Sequence, residues 1–269
     1  MQERIITALI MIIILVSIVF FVPILFSPLI AVILGTAIWE WCRISQIRRT
    51  QRYWFAVATL ILWVLAMVYS SFFSLLLVLS CLHYLYAIRL IWEFEHIHNF
   101  RIHHNYLTFA GPVLLSTLAT TLMYIFNQVD DSFTSGDAMT LTFIIMVIAA
   151  ADSGAYFVGR FLGKNKLSPR VSPKKTVEGL IGGLLSVVLV SYFFDFMVEQ
   201  WYLSFPKLLF ISLITAVFSV IGDLFISIIK RQNNIKDASQ ILPGHGGILD
   251  RIDGLLAGIP IFYLLQQWI

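Results

Sequence analysis

Two acidic residues sit where acids are costly. Asp152 and Asp223 each lie inside a long apolar run, Asp223 directly after Gly222. An ionised aspartate at the centre of a membrane helix costs roughly 2.5–3.5 kcal/mol on insertion scales, so such a residue faces the bundle interior and usually carries function. Spacing strengthens the case. Ser219, Asp223, Ser227 and Lys230 stand at i, i+4, i+8 and i+11, which stacks them on one helix face. Asp152, Tyr156, Gly159 and Gly163 form a second polar or small stripe. Two inward stripes predict a hydrated cavity entering the membrane from one side.

Two connecting segments carry the remaining unusual residues. The stretch 230–253 runs from Lys230-Arg231 through Lys236-Asp237 and Pro243-Gly244-His245-Gly246-Gly247 to Asp250-Arg251-Ile252-Asp253. Glycines let backbone N–H groups approach an anion, and such nests bind phosphates. Asp250 and Asp253 are three apart, so a helix starting near Leu249 puts both carboxylates on one face. Paired carboxylates with phosphate oxygens are the usual way to hold Mg²⁺. An ordinary basic loop beside a membrane explains the Lys and Arg, but not the Gly-His-Gly-Gly or the carboxylates.

The stretch 159–176 is densely cationic, with Arg160, Lys164, Lys166, Arg170, Lys174 and Lys175 among Gly, Ser and Thr donors. It suits anionic lipid headgroups, at about 1 kcal/mol per cation, and equally nucleotide phosphates. It is not a P-loop, because the glycine spacing is wrong and no Ser or Thr follows Lys164. Facing a carboxylate-rich segment on the same side of the membrane, the nucleotide reading gains.

The elements that must position these residues follow from composition. Of 269 residues, 59% are hydrophobic and only 12% charged, about half the charge of a soluble domain. That excludes a water-soluble domain and a disordered chain. The fold class is therefore an all-α polytopic membrane protein. Nine apolar runs approach the ~20 residues a spanning helix needs: 5–22, 24–41, 54–69, 72–91, 106–126, 139–158, 177–195, 208–229 and 255–269. The first exceeds a signal-peptide core and lacks a cleavage site, so a retained helix is expected. Threading nine spans from a cytoplasmic N-terminus leaves only Lys207 of the 18 lysines and arginines outside, together with Asp130, Asp131, Asp137, Asp195 and Glu199. That segregation predicts an N-in, C-out topology.

Function divides the chain into 1–137, for scaffold, lipid access or dimerisation, and 138–269, for chemistry. Cys42 and Cys81 avoid the outer loops, so no structural disulfide is expected. His96, His98, His103 and His104 read as a wet loop. Gly179, Gly182 and Gly183 allow close helix packing. Trp39, Trp41, Trp54 and Trp92 fit interfacial belts.

The segment Ser227 to Asp253 resembles, across all its positions, the signature of phosphatidate cytidylyltransferases (CDP-diacylglycerol synthases): Ser227-x-Ile229-Lys230-Arg231, Lys236-Asp237-x-Ser239, Leu242-Pro243-x-His245-Gly246-Gly247-Ile248-x-Asp250-Arg251-Ile252-Asp253. Asp152-Ser153-Gly154-Ala155-Tyr156, Gly159-Arg160 and Ser172-Pro173-Lys174-Lys175-Thr176-x-Glu178-Gly179 resemble that family's second block, with Ser153 where Thr is frequent.

The resemblance implies that CTP and phosphatidate give CDP-diacylglycerol and pyrophosphate, with one Mg²⁺ ion or two. By analogy, Asp223 and Asp250 are the first metal ligands, with Asp253 next. Lys174, Lys175, Lys230, Arg231 and Lys236 hold phosphates. Ser172, Thr176, Gly246 and Gly247 add hydroxyl and backbone contacts. His245 donates to a phosphate or supports a ligand. Arg251 has a competing role, pairing with Asp237 or Asp250, and Arg160 and Lys164 anchor the headgroup zone. The implied partners are CTP and a membrane lipid, without nucleic acid, in a homodimer within a bacterial inner membrane.

Two rival classes predict different patterns. A transporter also uses intramembrane carboxylates, but predicts matching broken helices in both halves; here the unusual residues crowd into the second half. A CDP-alcohol phosphatidyltransferase needs a differently spaced set of aspartates than Asp250 and Asp253 supply.

Overall fold

The computed structural model describes residues 2–127, 135–198 and 203–268. Nine helices occur among them: α1 Gln2–Phe20, α2 Phe26–Ile44, α3 Arg49–Val68, α4 Ser70–His96, α5 His104–Asn127, α6 Ser135–Leu162, α7 Val177–Met197, α8 Phe205–Gln232 and α9 Leu249–Trp268. A 3₁₀ turn, Pro23–Leu25, links α1 to α2, with proline near its start where a missing N–H is tolerated. Asp130, Asp131 and Glu199, expected on the outer side, lie outside the described residues.

The helices α2 to α8 are each long and apolar enough to cross a membrane. Among the described residues, seven of the nine expected spans meet that measure. The first expected span contributes the shorter apolar stretch Ile6–Phe20, and α9 opens on Asp250, Arg251 and Asp253. Several helices outrun their apolar cores: α3 starts at Arg49 and α4 continues to His96. Hydropathy marks the lipid-facing part of a helix, whereas backbone hydrogen bonding carries on into the polar zone. The break between α3 and α4 is Tyr69, in extended conformation.

Burial on α7 separates two faces. Ile181, Leu185, Leu189, Tyr192 and Phe196 are exposed, while Gly182, Gly183, Val187, Ser191 and Phe194 are buried. A stripe of large exposed apolar side chains needs lipid around it. The chain is an all-α, multi-pass integral membrane protein.

Two compact units divide the chain. One comprises Met1–Leu79, Ile102–Leu141 and Ile229–Asp253; the other comprises Ser80–Arg101, Thr142–Ile228 and Gly254–Ile269. Both draw on each half of the sequence.

In the first unit α5 packs against α2 and α3. Trp41 is fully buried there, and its indole N–H donates to the Leu107 carbonyl at 3.1 Å. A Cβ on Gly111 would stand 2.5 Å from that indole nitrogen, so only glycine admits the ring. Trp41 therefore belongs to the core, not to an interfacial belt; Trp39, Trp54 and Trp92 are exposed as the belt requires. A buried indole needs an acceptor, and α5 provides one.

In the second unit α6 and α7 approach closely. A Cβ on Gly182 would lie 2.3 Å from the Val158 side chain, and one on Gly183 would lie 2.6 Å from the Ala151 carbonyl oxygen. The expected packing role of the α7 glycines holds. Gly159 and Gly163, read as part of a cavity-facing stripe, instead press against Thr176. Their missing side chains make room for the segment that follows α6.

Candidate active site

The connection from α6 to α7 is a β-hairpin, not the irregular loop its composition suggests. Strand β1 (Lys166–Ser168) pairs antiparallel with β2 (Ser172–Thr176), Lys166 opposite Thr176 and Ser168 opposite Ser172. The strands are short and polar, so no apolar alternation betrays them. Carboxylates fix them instead. Glu95, near the end of α4, accepts from the Ser168 hydroxyl and from the Arg170 and Val171 amides, each amide at 3.0 Å. Arg170 returns the contact. Its guanidinium donates to the Glu95 and Ile97 carbonyls and lies over the Phe94 ring. Arg170 thus caps α4, a structural task for a cation first grouped with the phosphate binders.

The other end of the hairpin is tied down by Glu178, in the first turn of α7. It accepts from the Lys164 amide at 3.0 Å, the Asn165 amide at 3.1 Å and the Asn165 side chain at 2.7 Å. Thr176 is the N-cap of α7, its hydroxyl accepting from Gly179 N at 3.0 Å. Thr176 is buried, so the hydroxyl expected to touch a phosphate is engaged in the fold. Ser172 is half-buried on β2 and Lys174 is exposed.

These supports frame a cavity of about 190 Å³. Asp152, Tyr156, Lys174, Lys175 and Thr176 line its polar part; Ala155, Leu167, Leu180 and Val220 line its apolar part. The Lys175 ammonium lies 2.6 Å from Asp223 Oδ2, close enough for an ion pair but not aligned as a hydrogen bond. Both side chains are about a quarter exposed, at 25% and 28%, so the pair is neither sealed nor fully solvated. One turn along α8, the Ser227 hydroxyl donates to Asp223 Oδ1 at 3.3 Å. The two stripes foreseen on α6 and α8 thus supply Asp152 to the cavity wall and Asp223 to the lysine beside it.

The signature segment belongs to the other unit. Asp250, in the first turn of α9, accepts from Lys230 Nζ at 2.7 Å through Oδ1. Its Oδ2 accepts from Ala238 N at 2.7 Å and Gly247 N at 2.9 Å. The cation paired with Asp250 is Lys230, not Arg251, which is exposed. Lys230, expected on a phosphate, is buried in this pair. Asp253 follows Asp250 by one helical turn and is half-buried. Arg231 and Lys236 are exposed, Arg231 donating to the Ile235 carbonyl at 3.3 Å.

The glycines differ from their expected use. Gly244 and Gly246 adopt left-handed backbones, φ 72° and 83°, on either side of His245. Leu242 N donates to Gly246 O, while His245 N and Gly246 N donate to Leu242 O, closing a tight turn. The Gly246 and Gly247 amides, expected to cradle a phosphate, are thus engaged by Leu242 O and by the Asp250 carboxylate. What the turn presents is His245, half-buried, with a buried Nδ1 that has no hydrogen-bond partner among the described residues.

Glu40 is the site residue that sequence reading misses. It is fully buried on α2 and accepts from the Ser239 hydroxyl and the Ile248 and Leu249 amides. The signal was present: an acid inside the run 24–41 carries the same cost as Asp152 and Asp223.

The carboxylates do not form a ready-made metal cage. Among the described residues, no three or more His, Cys, Asp or Glu side chains group to hold an ion. One or two carboxylates completed by substrate phosphates and water still fit Mg²⁺, which rarely relies on an all-protein cage.

Comparison with known proteins converges on one family. A model described as the cytidylyltransferase family matches residues 2–269. The chain is 30% identical over 280 residues to a phosphatidate cytidylyltransferase of Haemophilus influenzae, covering 97% of each chain. It is 47% identical over 132 residues to the phosphatidate cytidylyltransferase of Bacillus subtilis, 48% of this chain and 49% of the relative. For that of Staphylococcus saprophyticus the identity is 43% over 129 residues, 46% and 48% of the two chains.

Proposed function

The chain belongs to the cytidylyltransferase family, and from that premise we propose its reaction and the residues that serve it. It is a nucleotidyltransferase of phospholipid synthesis: CTP and phosphatidate give CDP-diacylglycerol and pyrophosphate. A phosphate oxygen of phosphatidate attacks the α-phosphorus of CTP. The new P–O bond forms as the bond to the β-phosphate breaks, and pyrophosphate leaves with the electron pair. The nucleophile is already ionised, so no general base is needed. The protein's task is to gather anions and offset their charge.

One observation carries this reading: a cavity that is cationic on one part and apolar on another, lined by Lys175, whose ammonium pairs with Asp223. Lys174 and Lys175 bind phosphate oxygens there, and the apolar lining suits a lipid approaching from the bilayer. Asp223, through its place beside the cavity-lining Lys175, and Asp152 on the cavity wall would hold Mg²⁺; when bound, the ion offsets triphosphate charge and stabilises the leaving pyrophosphate. Asp250 and Asp253 are the further candidate ligands, and Asp250 would have to release Lys230 to serve. Arg231 and Lys236, both exposed, receive phosphates from the cytosol. His245 donates to a phosphate through its imidazole.

Chemistry on this reading belongs to residues 138–269, and residues 1–137 support it. Purified protein is expected to release pyrophosphate only when CTP, phosphatidate and Mg²⁺ are all present. Release that survives EDTA contradicts the metal assignment.

The same reading places the protein in a bacterial inner membrane as a homodimer, with the basic loops cytoplasmic. With Cys42 and Cys81 replaced, a cysteine introduced as Lys236→Cys should be labelled by an impermeant thiol reagent only from the cytoplasmic face. Lys207→Cys should react only from the outer face. Labelling of both from one face overturns the topology. Light scattering at one chain mass in mild detergent overturns the dimer.

A further inference from the structure

We infer that Glu40 is a positioning residue for this reaction, holding the segment 238–249 so that His245 meets the substrate phosphate. The inference rests on the role given to His245 above. Glu40 lies near the end of α2 and is fully buried. Its Oε1 accepts from Ser239 Oγ at 2.5 Å and Ile248 N at 3.0 Å, and its Oε2 accepts from Leu249 N at 2.6 Å. These two amides open α9, where a helix leaves N–H groups without internal acceptors and favours negative charge. Glu40 meets both needs from the far end of the sequence.

The chemistry calls for a carboxylate. All three partners are donors, and an ionised Glu is an acceptor only. Glutamine has the same shape, but its amide turns an N–H toward one of those donors. The fit is also tight: a Cβ on Gly247 would stand 2.5 Å from Glu40 Oε1. One turn further along α2, Arg43 Nη1 donates to the Ala238 carbonyl at 2.8 Å. The segment is therefore gripped by Arg43 and Glu40 on one flank of His245 and by Glu40 again on the other. The Leu242–Gly246 turn that carries His245 lies between these anchors.

The test is a double-mutant cycle on the full chain in phosphatidate mixed micelles, with kcat, KM for CTP and melting temperature read for each variant. Glu40→Gln is expected to lower kcat/KM for CTP about tenfold or more. In a His245→Ala background the same substitution should change it less than about twofold, because the group it orients is gone. Wild-type kcat/KM in Glu40→Gln overturns the inference, as does an equal loss in both backgrounds, the mark of a structural role alone. Should Glu40→Gln fail to fold, Ser239→Ala removes one contact and keeps the carboxylate. Its smaller loss, about threefold, should also vanish in the His245→Ala background, and persistence there overturns the inference. Full turnover by His245→Ala alone is a different failure: it removes the role of His245 and Glu40's with it.

Discussion

Asp223→Asn is expected to lower CDP-diacylglycerol formation on the order of 10²–10³-fold, the scale set by losing one preorganised electrostatic group, while the protein stays folded. The substitution is nearly isosteric and keeps the contact with Ser227. It removes the charge that faces Lys175 at 2.6 Å and the carboxylate best placed to hold Mg²⁺ near the cavity. Because each side chain is about a quarter exposed, water takes up part of the lost pairing, and stability should change little. Lys175→Met should also lose activity. The double variant Lys175→Met, Asp223→Asn should be no more active than either single one, since each group serves substrate separately. Recovery in the double variant would make the pair a structural contact. Steady-state turnover within about twofold of wild type for Asp223→Asn would remove it from the chemistry.

Asp250→Asn is expected to fail differently, through folding. Lys230 and Asp250 form a buried pair, with side chains 9% and 6% exposed. Breaking such a pair from one side leaves an uncompensated charge and costs about 3–5 kcal/mol. The asparagine amide would also turn a donor toward Lys230 or toward the Ala238 and Gly247 amides. A lowered melting temperature and a poor yield should follow. Lys230→Met should be milder, because Asp250 keeps both backbone donors. Thermal melts of the two purified variants decide the matter. If Asp250→Asn melts with the wild type and loses only its Mg²⁺ response, Asp250 is a metal ligand and not an anchor.

The contrast between these two aspartates shows what a sequence conveys. Asp250 stands in the signature segment and Asp223 just before it, and residue type alone gives them one role. Position separates them: Asp223 pairs with a partly exposed Lys175 that lines a cavity, whereas Asp250 is buried against Lys230 and two backbone amides. Hydropathy placed the helices because lipid imposes a long apolar run on each. It placed their ends poorly because helices continue past the lipid. The β-hairpin was illegible for a related reason. Its register is held by Glu95 and Glu178, and no local alternation records a partner some 75 residues away. Glu40 was legible in part. Its cost inside an apolar run marks it as purposeful, but nothing in the run around it names Ser239, Ile248 and Leu249 as its partners. Thr176 and Gly247 show the converse: groups typical of phosphate binding serve the fold first.

The most direct measurement follows two labels of CTP through one turnover mixture of purified protein, phosphatidate and Mg²⁺. With ³²P at the α-position, label should appear in a chloroform-soluble lipid. With ³²P at the γ-position, it should appear in pyrophosphate in equal amount, and both should fall together in Asp223→Asn. Label from the γ-position in the lipid, or α-label left wholly in water-soluble nucleotide, would contradict cytidylyl transfer to phosphatidate.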